Sequence, residues 1–298
     1  MNIAVAALVS CLGAMPVSRD TVIVPVPDTT GSAFIAAAPD TSAADEACAD
    51  SAVVQPDTAF TVPDSLKKHD GAFIVGERLV FDIAYGILKA GTATMGIPDT
   101  QLVKGRMCYH VVTTAESNKF VSTFFKVRDR VETFIDKEGL FPWKFIKKIR
   151  EGHYSADKYV EYDQVRNIVV ENRKDTLSVQ PFVQGILSSF YLTRLKNLVP
   201  GTYFDIDNYG DGKMYPLRVL VHKRERVKVP AGTFDCILVE PVMRVEGIFK
   251  QKGKLRIWLT DDQWRMPVLM KSKALIGSIS VRLVHYTHGN SVSNKHEE

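Results

Sequence analysis

Cysteine is scarce, with four in 298 residues, and that excludes a scaffold built on disulfides. Charge of one sign is scarce too: a net of +4 is too small to demand a nucleic-acid partner. Beyond residue 15 no apolar run reaches the ~18 residues that a membrane-spanning helix needs. The short signatures of several enzyme classes are missing as well. There is no Gly-x-Ser-x-Gly elbow, no phosphate loop ending in Gly-Lys-Ser/Thr, no Gly-x-Gly-x-x-Gly and no His-x-x-x-His pair. These gaps exclude only motif-defined chemistry, because catalytic triads are scattered along a chain. No cofactor is expected. What is present is a globular composition, 45% hydrophobic and 24% charged.

The small net charge conceals an uneven distribution. Residues 1–64 hold one basic residue, Arg19, against eight acidic ones, whereas the remainder is strongly basic. That first segment also holds six of the fourteen prolines and only two aromatics, Phe34 and Phe60. It cannot bury enough apolar surface to offset the entropy of ordering it. Residues 15–70 therefore read as a disordered, acidic linker rich in Pro, Ala, Thr and Asp, and its like charges extend it. Residues 289–298 read as a flexible tail.

Residues 1–14 read as an export leader, because residues 3–9 form an unbroken apolar run followed by small residues. No Lys or Arg precedes that run. Leu8-Val9-Ser10-Cys11 has the pattern of the bacterial lipoprotein box, which makes Cys11 the expected site of lipidation. A plain cleaved signal ending near Ala14 is the alternative. With lipid on Cys11, the chain is expected in the periplasm or on the outer membrane of a Gram-negative bacterium. The linker then acts as a tether, and the N-terminal anchor makes the membrane a partner.

Residues 71–288 carry the folded body. Leu79, Phe81, Ile83 and Tyr85 alternate with more polar neighbours, as do Leu255, Ile257 and Leu259, and Ile279, Val281 and Leu283. This period of two marks antiparallel strands with one apolar face. Turn signals at Pro98-Asp99, Lys137-Glu138-Gly139, Gly210-Asp211-Gly212, Pro230-Ala231-Gly232 and Asp261-Asp262 separate about ten strand-like runs. Helical spacing occurs twice, after Ser117 as a cap and over 181–195 with Pro181 in the first turn. The expected fold is mainly β: one large curved antiparallel sheet or half-open barrel with two helices laid over it.

The order of several pieces resembles a bacterial family, domain of unknown function 3108. They are Gly76-Glu77-Arg78-Leu79-Val80-Phe81-Asp82-Ile83 with Lys89-Ala90-Gly91-Thr92-Ala93, then Leu187-Ser188-Ser189-Phe190-Tyr191-Leu192-Thr193-Arg194, then Val229-Pro230-Ala231-Gly232-Thr233-Phe234-Asp235-Cys236. Trp258-Leu259-Thr260-Asp261-Asp262, Met266-Pro267-Val268 and Ile276-Gly277-Ser278-Ile279 complete the set. The resemblance implies an exported or envelope-associated domain with a sheet similar to that of the periplasmic lipoprotein carriers. It brings no catalytic residues.

Individual constellations point in different directions. Asp205-Ile206-Asp207-Asn208-Tyr209-Gly210 begins like a calcium loop, but Pro216 stands where the bidentate Glu is needed, so Asp211-Gly212 reads as a hairpin turn. Cys108 and Cys236 read as buried thiols, with a disulfide as the alternative, and Cys48 as a stray thiol. His285 reads as a hydrogen-bonded histidine in register with Val281 and Leu283. Trp143-Lys144-Phe145-Ile146-Lys147-Lys148-Ile149-Arg150 interleaves aromatic and basic residues, as an anionic-lipid surface does and as a solvated strand beside a core also does. Residues 222–228 pattern like an exposed strand face.

Three functional readings follow. In the first, the concave sheet binds a lipid, another apolar ligand or a lipidated partner, lined by Tyr85, Phe124, Phe125, Phe145, Phe190 and Trp258. In the second, the protein is a structural or assembly scaffold of the envelope without a ligand, for which an envelope protein is a candidate partner. In the third, it is a hydrolase of envelope glycan or lipid, for which Asp129, Glu132, Asp261 and Asp262 are the acidic candidates. An apolar groove separates the first from the second, and converging carboxylates favour the third. A non-enzymatic binding role is the main expectation.

Overall fold

The computed structural model describes residues 60–67, 73–243, 255–273 and 278–289. The leader with Cys11, the linker up to residue 59 with Cys48, the tail from residue 290 and the Ile276-Gly277 piece lie outside the described residues. A 3-10 turn at Asp64–Leu66 precedes the body.

The first half of the body is a run of strands. These are β1 (Glu77–Tyr85), β2 (Leu88–Val103), β3 (Arg106–Ser117), β4 (Arg128–Asp136), β5 (Pro142–Glu151), β6 (Tyr154–Asp163), β7 (Ile168–Glu171) and β8 (Asp175–Ser178). A four-residue helix, α1 (Lys119–Ser122), interrupts the β3–β4 connection. The second half comprises β9 (Gln184–Gly185), helix α2 (Ile186–Leu195), β10 (Tyr203–Gly210), β11 (Lys213–Val229), β12 (Gly232–Met243), β13 (Leu255–Thr260), β14 (Pro267–Lys273) and β15 (Ser278–His288).

All fifteen strands form one sheet in the order β8 to β1, then β15 to β9. Every pairing is antiparallel except β9 with β10. Sequential strands are neighbours throughout apart from β8 and β9, and β1 pairs with β15 to join the two halves. The sheet is thus a nearly complete up-and-down meander, open at the β8/β9 seam. Side chains bring the two ends of the sheet together across it. Tyr209 on β10 donates to Glu171 on β7 (2.7 Å), and Lys158 on β6 pairs with Glu171 (2.9 Å) and with Asp211 beyond β10 (3.1 Å). The Tyr162 and Tyr209 rings meet edge-on at 6.2 Å.

Alternation explains the inner wall. Leu79, Phe81 and Ile83 of β1 and Val281 and Leu283 of β15 are fully buried on one face and continue into a single core that includes α2. The seam lies where the chain turns inward. Four consecutive residues of α2, Leu187 to Phe190, are buried, and at 100° per residue they face every direction around the helix axis. A helix buried on all sides does not cover a sheet from outside; it fills the space that the rolled sheet encloses. The expected mainly β fold with two helices is thus the one observed, and burial of α2 from within explains why no single apolar stripe had to be present.

Because β9 runs parallel to β10, α2 starts near the end of the body where Gly86 and Asp211 lie and finishes at the opposite end, beside Glu77. Arg194, in its last turn, donates to both carboxylate oxygens of Glu77 (2.8 and 2.6 Å) and to the Trp264 carbonyl (3.0 Å). Burial pulls the Arg194 pKa down, but the charge and hydrogen bonds of Glu77 outweigh it and hold the guanidinium ionised. Asn208 on β10 adds a hydrogen bond to Ser189 (2.5 Å).

Other expectations are corrected in detail. Helix α2 begins at Ile186, not near Pro181, because Phe182 has a positive φ of 59° and Gln184 and Gly185 are drawn into the sheet as β9. Asn118, not Ser117, caps α1, its side chain accepting from the Val121 N–H at 2.8 Å. Pro98-Asp99 is no turn: it sits inside β2, where the register to β3 shifts between Gly96 and Asp99. A second shift, between Val80 and Phe81 against β15, puts His285 on the exposed side rather than in line with Val281 and Leu283. Asp211 and Gly212 do form the β10–β11 turn, with φ of 48° and 79°. Cys108 and Cys236 are free and buried.

Removing one partner of the Glu77–Arg194 pair leaves a buried charge uncompensated. Arg194→Met is expected to cost about 3–5 kcal/mol in urea denaturation, and the double variant Glu77→Leu/Arg194→Met less than that. A single variant within about 1 kcal/mol of the parent would contradict the assignment of this pair as the anchor of α2.

Candidate functional site

The six side chains proposed as a ligand lining do not converge. Phe145 on β5 and Phe190 on α2 are buried in the core. Trp258 is buried as well, although strand alternation sets it on the face opposite Ile257 and Leu259. Its indole N–H donates to Glu225 (2.8 Å), and the Lys271 ammonium lies 5.6 Å from the ring. Tyr85 and Phe125 are half-buried at the Gly86 end and pack on the rim of the core. Phe124 is exposed, edge-on to Phe120 at 5.7 Å. The space that a shared lining would surround is occupied by α2.

The segment 143–150 is β5, and its residues alternate between the two faces. Phe145, Lys147 and Ile149 are buried on one face, whereas Lys144, Lys148 and Arg150 lie on the other, and Trp143 sits at the bulge where the register to β4 shifts. Trp143 is buried with its indole N–H donating to Asp136 (2.9 Å), and Phe145 belongs to the core, so neither aromatic faces a lipid surface. Lys147 shares the inner face because parity places it there. Its neighbour across β4 is Val131, and beyond that lies Thr113 on β3; on the other side it meets Lys158.

Above the start of α2 the interior therefore turns polar. Asp129 of β4 and Glu151 of β5 are both buried, with Lys147 between them in charge range. Asp129 accepts from the Arg150 backbone N–H at 2.9 Å through one oxygen. Its other oxygen, and the buried Thr113 hydroxyl, have no hydrogen-bond partner among the described residues. Burial pushes the Asp129 pKa up to about 6, helped by the Glu151 charge and opposed by the Arg150 N–H and Lys147. Burial likewise raises Glu151 and lowers Lys147. Of the three, Asp129 is the group brought into the range near pH 6. The sequence signal for this polar interior was available in the parity of Phe145, Lys147 and Ile149, but basic residues in a strand are ordinarily assigned to the solvent side.

The other acidic candidates lie elsewhere. Glu132 is on the outer face, accepting from Arg130 (2.8 Å) and meeting His110 (2.7 Å), which also contacts Asp99 at 3.0 Å. Asp261 pairs with Arg224 (2.5 Å) and Arg265, and Asp262 caps the β13–β14 turn by accepting from the Trp264 and Arg265 N–H groups. The four carboxylates proposed for hydrolysis thus occupy three separate places. Burial raises the Cys108 and Cys236 thiols to about 12, so neither is a ready nucleophile. Among the described residues no three His, Cys, Asp or Glu side chains are grouped to hold a metal.

One surface pocket, of about 390 Å³, opens beneath α1 at the Gly86 end and is lined in part by Lys119, Lys126 and Arg128. No helix among the described residues is long and apolar enough to cross a membrane.

A family of proteins of unknown function, DUF3108, matches residues 80–284 of this meander. The chain belongs to the DUF3108 family. The match spans most of the ordered pieces on which the resemblance rested. Among solved structures, a beta-barrel-like protein of domain of unknown function 1849 from Brucella abortus has 11% identity and a TM-score of 0.52, over 74% of this chain and 100% of that one. At that identity the likeness is one of fold. A candidate lipoprotein from Parabacteroides distasonis (11% identity, TM-score 0.34, 74% and 100% covered) and a candidate exported protein from Bacteroides fragilis (14%, 0.29, 72% and 97%) are more distant. No curated protein matches the chain. The DUF3108 body is mainly β, with one large sheet that is not closed into a barrel.

The raised Asp129 pKa has a consequence for stability. Between the ordinary value of 3.8 and about 6 the folded state keeps a proton that the unfolded chain has lost. Stability therefore falls as pH rises through that window and is level above it. Asp129→Asn, which keeps the acceptor for Arg150, is expected to be about 1–3 kcal/mol more stable than the parent at pH 8 and no better at pH 4. Equal advantage at both pH values in urea titrations would contradict the buried, unpartnered carboxylate.

Proposed function

We propose that this chain is an exported, non-enzymatic envelope protein, tethered to a membrane through Cys11, whose folded body is a rigid interaction module and not a carrier of lipid. The observation that supports this reading is the burial of α2 on all sides within the rolled sheet. A carrier for an acyl chain needs an apolar space of several hundred Å³, and α2 takes the place where such a ligand would lie. The dispersal of Asp129, Glu132, Asp261 and Asp262 weighs against a hydrolase. Export and tethering rest on the apolar leader and the Leu8-Val9-Ser10-Cys11 pattern, and the acidic linker supplies the reach between anchor and body. An envelope protein is the partner expected for such a module.

Mass spectrometry of protein extracted gently from its own membranes tests each part. The expected result is a diacylglyceryl mass on Cys11 and a body free of stoichiometric lipid. One lipid bound per chain would replace the module with a carrier, and a mature chain lacking Cys11 would remove the tether.

A further inference from the structure

At the Gly86 end two neighbouring connections carry four of the five most exposed large apolar side chains among the described residues. Ile87 and Leu88, at the β1–β2 tip, are 99% and 64% exposed, and Phe120 and Phe124, on and after α1, are 71% and 79% exposed. The two connections are fastened to each other. The Asn118 backbone N–H donates to the Ala90 carbonyl (2.9 Å), and its side-chain amide donates to the Lys89 carbonyl (2.6 Å). The apolar groups therefore project from one rigid place and not from independent loops. Single exposed apolar residues need no explanation, but a cluster at one end does.

The rim of this cluster is basic. Lys119, Lys126 and Arg128 line the pocket beneath α1 together with Ser117, Ser122 and Thr123, and one carboxylate, Glu116, lies among them. None of the three cations makes an ion pair among the described residues, whereas Lys89 nearby is paired with Asp82 at 2.7 Å. Three cations against one carboxylate, hydroxyl groups and a pocket of about 390 Å³ suit a phosphate-bearing headgroup, and the flanking Phe120, Phe124 and Ile87 suit the acyl layer beneath it. A second copy of this chain is a poor occupant, because a two-fold contact would place like charges against each other.

We infer that the Gly86 end is a docking surface for an anionic lipid bilayer, with Phe120, Phe124, Ile87 and Leu88 entering the interface and Lys119, Lys126 and Arg128 gripping headgroup phosphates. The inference deepens the proposed function by naming what the tethered body rests on, and it depends on that reading only for the source of the bilayer. The contact holds the body against the membrane that the linker would otherwise let it leave, and it weakens as salt rises.

The test uses the full chain carrying Cys11→Ser, so that no acyl group contributes, sedimented with vesicles of equimolar phosphatidylglycerol and phosphatidylethanolamine or of phosphatidylcholine alone. The leader is common to every variant, so differences report on the tip. The parent is expected to bind the anionic vesicles and to lose binding in high salt. Phe120→Ser/Phe124→Ser and Lys119→Gln/Lys126→Gln/Arg128→Gln should each lower the partition coefficient at least tenfold. Because these side chains are exposed, melting temperatures should stay at the parental value, which separates lost docking from lost folding. Equal binding to phosphatidylcholine, or variants that sediment like the parent, would overturn the inference. So would inorganic phosphate that binds the pocket while the aromatic variant leaves vesicle binding unchanged, or self-association without vesicles that the aromatic variant abolishes. Any of these failures leaves the Cys11 mass and the lipid content of the native protein untouched, so the module reading stands or falls separately.

Discussion

A buried, bidentate ion pair between Glu77 at the start of β1 and Arg194 in the last turn of α2 fixes how the rest of the molecule is arranged. The two residues are 117 positions apart, so their meeting ties the first strand of the sheet to the helix that fills it. A buried pair of this kind adds little net stability over an apolar substitute, but it tolerates no sliding or rotation of the helix. The Phe73 and Tyr191 rings, which meet edge-on at 5.1 Å beside the guanidinium, close the surroundings and keep water out. The Trp264 carbonyl adds a third attachment, from the β13–β14 connection. Three distant parts of the chain therefore converge on one guanidinium.

From that anchor the remaining features follow. A sheet of fifteen strands that rolls without closing exposes the backbone of its end strands, and here both ends are kept short: β8 has four residues, all exposed, and β9 has two. The seam is bridged by Tyr209, Glu171, Lys158 and Asp211 and not by a backbone ladder, because the chain leaves the sheet at this point to enter the interior. At the Gly86 end, where α2 begins, the inner face of β4 and β5 is polar. Asp129, Lys147 and Glu151 lie there, buried charged groups in place of the apolar lining that an acyl chain needs.

Much of this was legible in the residues. The period of two in β1, β13 and β15 announced an antiparallel sheet, and Asp211-Gly212 announced its turn. The ordered motifs announced the family. The position of α2 was not legible. Its apolar residues at four-residue steps look the same whether the helix lies on a sheet or inside it, and only Arg194, whose partner lies far away in sequence, and the small Ser188 and Ser189 hinted at full burial. The inner polar residues were hidden for a related reason: parity places Lys147 beside Phe145 and Ile149, but composition argues for solvent. Phe124 failed in the opposite sense. A large aromatic was assigned to an interior, yet it stands exposed at a tip among the described residues.

The central claim is that α2 fills the rolled sheet as part of the core, and hydrogen exchange over residues 186–195 in the intact protein measures it most directly. A helix of ten residues has no lasting stability of its own in water, so any protection it shows must come from its enclosure. The account predicts that its amides exchange as slowly as those of β1 and β15 and only through global unfolding. Exchange of α2 well ahead of the sheet, at rates close to those of the exposed connections, would contradict it and reopen the interior to a ligand.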